Sequence, residues 1–133
     1  MNKKQLIRRS GKVITKEKSL PRLLADAQKK FNSWIRNRDK DFPCICCGSF
    51  NTSDAGHYFS QGQHSFLRFN EMNVNLCCRK CNHFLSGNLI NYRQGLIRRY
   101  GEVNVDKLEL AAKLNRVRKW SKFELEHIIK MYS

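Results

Sequence analysis

Two Cys-x-x-Cys pairs, Cys44/Cys47 and Cys78/Cys81, stand 30 residues apart in a chain of 133. Four thiolates in two such pairs make the closed tetrahedral site typical of structural zinc, which contributes folding energy and keeps no open position for chemistry. A chain of this size supports only a modest core and profits from a metal staple. Disulfides are the competing use of six cysteines, but the N-terminus lacks the apolar core of an export signal, and reducing compartments disfavour disulfides. Zinc at Cys44, Cys47, Cys78 and Cys81 is therefore expected. Cys46 and Cys77, each beside a ligand, read as packed or exposed free thiols, and a swapped choice of ligand stays open. Any chemistry must come from other residues, and His57 lies in the loop that the two pairs close.

The balance of 26 Lys and Arg against 11 Asp and Glu gives a formal charge of +15. Such a surplus points to a polyanionic partner, a nucleic acid or an anionic membrane surface. No apolar run approaches the roughly 18–20 residues that a membrane span needs, so nucleic acid is the expected partner. The charge is concentrated: residues 1–40 carry a net +10. Residues 1–18 show little periodicity and read as a flexible basic arm. Residues 19–133 then read as a single domain.

Ser19-Leu20-Pro21 opens a helix running to about residue 40, with proline in the first turn, where its missing N–H is not needed. Leu24, Ala27, Phe31, Trp34 and Ile35 form its apolar stripe, and Lys29, Lys30, Arg36 and Arg38 lie largely off it. Those cations form either a solvated face or a surface for phosphates. Residues 41–88 hold the cysteine pairs and, between them, a stretch rich in Gly, Ser, Asn and aromatics that suits a loop and β-hairpin, with Leu67-Arg68-Phe69 as a strand candidate. A short helix is expected to carry Cys81, Asn82 and His83 and to stop near Ser86-Gly87-Asn88. Two helices follow, one around Leu89–Tyr100 ended by Gly101 and one over Asp106–Lys119. Ser121-x-x-Glu124 is a capping box that opens the last, with Leu125, Ile128 and Ile129 inward. The fold class is α+β: a zinc-stapled core with flanking helices, mostly helical.

Asp54-Ala55-Gly56-His57-Tyr58 between the cysteine pairs, and Asn82 directly after Cys81, resemble the HNH, or His-Me finger, nucleases in their zinc-bearing form. That resemblance implies a ββα-metal, treble-clef-like core with a histidine base on the hairpin. His57 is then the base, the alternative being a hydrogen-bonded structural histidine. Asn73 is the asparagine that braces the hairpin or holds the His57 ring, and Asn82 is the ligand on the following helix. Many relatives bind the ion through an Asp or His just before the base, and here that residue is Gly56. Asp54, three positions upstream, either takes the ligand role or caps its own backbone in an Asx-type turn.

A closer resemblance covers the chain from about Phe31 onward. Pro43-Cys44-Ile45-x-Cys47-Gly48, Asp54-Ala55-Gly56-His57-Tyr58, Leu67-Arg68-Phe69-Asn70-Glu71-x-Asn73, Cys78-x-x-Cys81-Asn82 and Ser86-Gly87-Asn88-Leu89 look like the NinG/Rap recombination proteins of lambdoid phages. The resemblance implies a phage- or prophage-encoded nuclease in the bacterial host cytoplasm that acts on branched DNA such as Holliday junctions. The implied reaction is phosphodiester hydrolysis assisted by Mg²⁺ or Mn²⁺, with neutral His57 taking a proton from the attacking water. An amide oxygen from Asn82 and a carboxylate from Asp54 are hard donors that suit such an ion. Arg68 and Arg93 either clamp phosphates or serve the surface, in solvation or an ion pair with Glu71. Asn88 ends a helix or adds a second ligand. His64 reads as a loop residue with a chance to touch substrate, His83 as a neighbour or supporting ligand of the ion, and His127 as structural. Symmetric cutting of a four-way junction needs two active sites, so a homodimer is expected. A non-catalytic, zinc-stabilised DNA-binding accessory protein is the alternative function.

Overall fold

A computed structural model describes residues 5–9 and 12–133, with side chains from residue 17 onward. Within the stretch read as a basic arm, β1 (Gln5–Arg9) and β2 (Lys12–Lys16) pair as an antiparallel hairpin. Residues 1–4, 10 and 11 of that arm lie outside the described residues.

Helix α1 (Leu20–Arg38) begins at Ser19, whose hydroxyl accepts the Arg22 N–H, with Pro21 in the first turn as expected. Its buried residues are Leu23, Ala27, Gln28, Phe31 and Ile35. Leu24 and Trp34, expected in that stripe, sit at its margin. The centre is polar: Gln28 occupies a core position, a substitution that periodicity does not reveal.

The second hairpin joins β3 (Asp54–His57) to β4 (Val74–Cys77), antiparallel, with Asp54 opposite Cys77 and His57 opposite Val74. Strand alternation sorts its two faces. Ala55 and Val74 meet α1 and α4 (Lys122–Met131) in a cluster with Phe31, Ile35, Phe69 and Leu125. The other face carries Asn75 and Cys77 toward α2 (Leu89–Tyr100), α3 (Glu102–Leu114) and the cysteines. The hairpin is thus the middle layer between two helical layers.

Two local expectations need correction. Leu67-Arg68-Phe69 is not a strand: Ser65–Leu67 is a 3-10 turn, and the chain continues in turns to Asn73, because backbone bonds such as Asn70 N–H to Leu67 O curl the segment inward. The helix expected over Asp106–Lys119 runs instead from Glu102 to Leu114, since Gly101 (φ 87°) ends α2 and α3 starts at once. The segment carrying Cys81 is a single π-helical turn, Lys80–Phe84, followed by positive φ at Ser86, Gly87 and Asn88. The capping box at Ser121 and Glu124 is formed in both directions.

Two contacts fix the layers. Gly95 lies in the middle of α2, where glycine costs about 1 kcal/mol relative to alanine. A Cβ there would stand 1.9 Å from the Ile45 carbonyl oxygen, so the helix touches the first cysteine turn backbone to backbone. Asp39, fully buried just after α1, receives the Arg38 guanidinium at 2.7 and 2.9 Å, Arg99 from α2, and the Leu76 backbone N–H at 3.1 Å. Burial opposes its ionisation, but these donors outweigh it and hold the carboxyl down at about 2. The stabilisation is complete above the ordinary carboxylate value and drains away as pH falls toward about 2. Asp39→Asn should therefore cost roughly 3 kcal/mol in denaturant unfolding at pH 7, the low end for breaking a buried pair because both guanidiniums retain some water. The deficit should shrink on acidification toward pH 2, where wild type loses the same interaction.

Candidate active site and metal centre

The Sγ atoms of Cys44, Cys47, Cys78 and Cys81 all lie within 4.8 Å of one another, and Cys47 and Cys78 are 3.7 Å apart. Tetrahedral coordination at about 2.3 Å puts sulfurs about 3.8 Å apart, so the quartet fits a zinc ion. The supporting shell is also present. Backbone N–H groups of Cys46 and Cys81 donate to Cys44 and Cys78 Sγ, both at 3.4 Å, and the Asn88 amide donates to Cys81 Sγ at 3.5 Å. Such donors orient thiolates and spread their charge. Cys46 and Cys77 are buried and, with Cys44, form a three-sulfur group beside the quartet. Three thiols do not close a tetrahedron, and both Cys-x-x-Cys turns already converge on the quartet.

Gly48 (φ 77°) turns the chain after Cys47, and backbone bonds tie this turn to β4, Ile45 N–H to Leu76 O at 3.1 Å. On the far side of β4, β3 carries His57 over α1. Its Nε2 is 3.2 Å from the Arg68 carbonyl oxygen and 3.4 Å from the Gln28 amide nitrogen. That amide has two hydrogens, and better acceptors take both: Asn32 Oδ1 at 2.8 Å and the Arg68 carbonyl at 3.3 Å. The consistent assignment has Nε2–H of His57 donating to Arg68 O, which leaves Nδ1 as the basic nitrogen. Burial, with Arg68 nearby, pushes the imidazole down to about 4, against the pull of the Arg68 carbonyl. At neutral pH the ring is uncharged.

His57, Asn32, Ser60, Gln61, Asn82 and Ser86 share an open cleft of about 330 Å³ with Ala55 and Gly87. A neighbouring cleft of about 440 Å³ adds Tyr58, Phe59, Gln63, His64 and Leu89. The base candidate and Asn82 are therefore brought together, although 24 residues lie between them in the sequence. His64, read as a loop residue, lines the second cleft with its Nδ1 buried and without a hydrogen-bond partner.

Asp54 sits elsewhere. Three residues before His57, it falls on the opposite face of β3 and does not line either cleft. Its carboxylate accepts from Ser53 Oγ at 2.8 Å, Arg79 at 3.1 Å and Asn82 Nδ2 at 3.0 Å. His83 Nε2, on an exposed ring, is 3.6 Å away. Burial works against the charge, yet these donors hold the carboxyl below its usual range. Because Nδ2 of Asn82 is spent on Asp54, its Oδ1 is the free end, 3.2 Å from where a Cβ on Gly56 would stand. The same Cβ would be 2.6 Å from Cys77 Sγ, which explains a glycine before the histidine. The oxygen donors fit a hard divalent ion in part: Asn82 offers an unengaged amide oxygen, whereas both Asp54 oxygens already accept hydrogen bonds.

Asn73 is fully buried and braces the loop after β3 by three bonds, accepting from Phe59 N–H at 2.9 Å and donating to Phe59 O and Leu67 O. Its bonds go to that loop and not to the His57 ring, which α1 and the Arg68 carbonyl hold instead. Arg68 spends its Nε on Gln28 Oε1 at 2.8 Å rather than on Glu71. Arg93 is paired with Glu109 and Asp106 at 3.0–3.1 Å, so its charge is taken up within the fold. Lys29 and Arg36 are exposed and Lys30 is partly so. Lys29 and Arg36, seven residues apart, share one stripe of α1 about 50° round from Asn32 at the cleft. Asn88 ends the turn in left-handed backbone and faces Cys81. His127 is exposed on α4.

Gln28, Asn32 and Tyr92 are the site residues that sequence reasoning misses. Tyr92, buried in α2, donates to the Gly56 carbonyl at 2.6 Å and accepts from Asn75, pinning the strand beside the histidine. Gln28 is singled out by its burial in the structure, since periodicity in the sequence does not mark it. Stripping metal with a strong chelator should abolish cooperative thermal unfolding, and re-addition of one equivalent of Zn²⁺ should restore it, followed by circular dichroism. Cys78→Ser should reproduce the stripped state in the presence of zinc, whereas Cys46→Ser should still bind it.

A family model described as "Bacteriophage Lambda NinG protein" matches residues 2–133. Among curated relatives, the protein ninG of Escherichia phage lambda is 46% identical over 88 residues, 65% of this chain and 43% of that protein. The protein ninG of Salmonella phage P22 is 43% identical over 95 residues, 70% of this chain and 47% of that one. The matched stretch thus spans less than half of those relatives' length. No solved structure matches. Among the described residues, no helix is long and apolar enough to cross a membrane. A match that runs from residue 2 to the last residue, through both cysteine pairs and the histidine strand, makes this chain a member of the NinG family.

Proposed function

We propose that this chain is a metal-dependent endonuclease of the His-Me finger type that cuts branched DNA. The observation that carries the reading is a neutral histidine whose Nε2–H is committed to a backbone carbonyl, which leaves Nδ1 as a base in a cleft shared with the Asn82 side chain. In this account His57 takes the proton from the attacking water at Nδ1, a contribution of about 10²–10⁴ in rate. Asn73 keeps the following loop closed over the base. Asn82, through its free Oδ1, would hold a divalent ion together with the substrate phosphate, and that ion would supply charge neutralisation at the leaving oxygen. Asp54, on the other face of β3, orients the Asn82 amide by accepting from its Nδ2. Lys29, Lys30 and Arg36 on α1 meet backbone phosphates, so binding weakens steeply with salt.

The engagement of both Asp54 oxygens by other side chains favours the second reading, a non-catalytic DNA-binding accessory module. Cleavage of a labelled four-way junction, with Mg²⁺, Mn²⁺ or EDTA, separates the two. The nuclease reading expects cuts near the crossover that vanish in EDTA and fall at least 100-fold in His57→Ala, with junction binding unchanged. Binding without cleavage by zinc-loaded wild type would leave the accessory reading. The base must be neutral, and burial holds His57 at about 4. Cleavage should therefore persist at pH 6 and be lost only as pH falls toward about 4, in a pH–rate profile limited at low substrate.

A further inference from the structure

We infer that Gln28 of α1 is a positioning residue that selects the tautomer of His57, an inference that rests on the role proposed for His57. Gln28 is 6% exposed, in the centre of the apolar face of α1, where leucine or alanine would pack at lower cost. Its amide holds Arg68 at two points. Oε1 accepts from the Arg68 guanidinium at 2.8 Å, and Nε2 donates to the Arg68 backbone carbonyl at 3.3 Å. That same carbonyl oxygen accepts the hydrogen bond from His57 Nε2 at 3.2 Å. The glutamine thus fixes the acceptor that fixes the ring.

Asn32 completes the device. One helical turn along α1, its Oδ1 takes the second amide hydrogen of Gln28 at 2.8 Å. Without that acceptor, the hydrogen would face His57 Nε2 across 3.4 Å. Donation there would require an unprotonated Nε2 and would place the proton on Nδ1, the nitrogen that the base needs bare. Amide orientation, helix register and the loop carbonyl therefore converge on one outcome: Nε2–H in, Nδ1 free. The charged group facing the ring is the Arg68 guanidinium from the loop; α1 contributes only the neutral Gln28 and Asn32, and His64 lines the adjoining cleft.

The test is the ¹⁵N signature of the His57 ring in zinc-loaded full-length protein, read together with junction cleavage for wild type, Gln28→Leu and Gln28→Glu. Wild type should show the Nε2–H tautomer. Gln28→Leu should show a mixture of tautomers, with kcat lowered about 10- to 100-fold and KM nearly unchanged. Gln28→Glu can still accept from Arg68 and from His57 Nε2–H, so it should restore the tautomer and move the acid limb of the rate to higher pH. If Gln28→Leu does not fold, the glutamate variant carries the test alone through that limb and the ring spectrum. An Nδ1–H tautomer in wild type, unchanged ring shifts in a folded Gln28→Leu, or either an Nδ1–H ring or an unmoved acid limb in Gln28→Glu would overturn the inference. Since the ring spectrum needs no turnover, absence of cleavage by wild type would count against the nuclease reading alone.

Discussion

The convergence of Cys44, Cys47, Cys78 and Cys81 is the constraint from which the rest of the arrangement follows. It joins a turn that follows α1 to the end of β4, and each partner then dictates a neighbour. The first turn is close enough to α2 that only glycine fits at position 95. The second continues into the π-helical turn, so Asn82 emerges directly after a ligand and against the Gly56 backbone. Four thiols brought together without a metal would contribute only small apolar groups and weak S–H donors, with little directional bonding to fix the two turns. With zinc, the same four atoms supply a fixed vertex between two helical layers.

Around that vertex the interior is unusually polar. Gln28, Asp39, Asn73 and Asn75 are all buried, and each has partners for its polar atoms. Asn75 alone links Met72, Tyr92, Arg38, Arg99 and Tyr100. Burying such groups stabilises little on balance, because desolvation offsets most of the gain. What a satisfied network does contribute is uniqueness: a slipped hairpin register would leave several of these atoms without partners. The strand that carries His57 is held by this network on one face and by apolar packing on the other. The base role proposed for His57 requires placement within a fraction of an ångström, and this is the kind of support such placement needs.

The helices and the metal centre were legible because their signals are local. Cysteine spacing, a serine–proline start, a glycine stop and a capping box each act within a few residues. The left-handed turn at Ser86–Asn88 was legible for the same reason, whereas a hairpin was expected between the cysteine pairs without the bounds of its strands. The 3-10 turn at Ser65–Leu67 was not, since an apolar triplet that contains an arginine reads equally as strand. The boundaries of α3 were missed because Glu102–Val105 has weak helical periodicity and gains its buried contact only at Val105. At the candidate site, His57 and Asn82 could be named from pattern, but the partners that position them come from remote segments. Gln28 reaches across 29 residues to the histidine, and Arg93 finds its carboxylates on α3. A charged side chain carries no mark in the sequence that tells phosphate from Glu109.

The most direct test of the account is X-ray absorption at the zinc edge on protein purified under reducing conditions, with metal content measured on the same sample. The account predicts one zinc per chain, bound by four sulfurs at about 2.3 Å and by no nitrogen or oxygen. A nitrogen or oxygen ligand would mean that the ion has an open or mixed site and that the cysteine pairs are not its closed cage. Absence of metal, with paired cysteines instead, would remove the vertex on which the hairpin, the π-helical turn and the placement of His57 all depend.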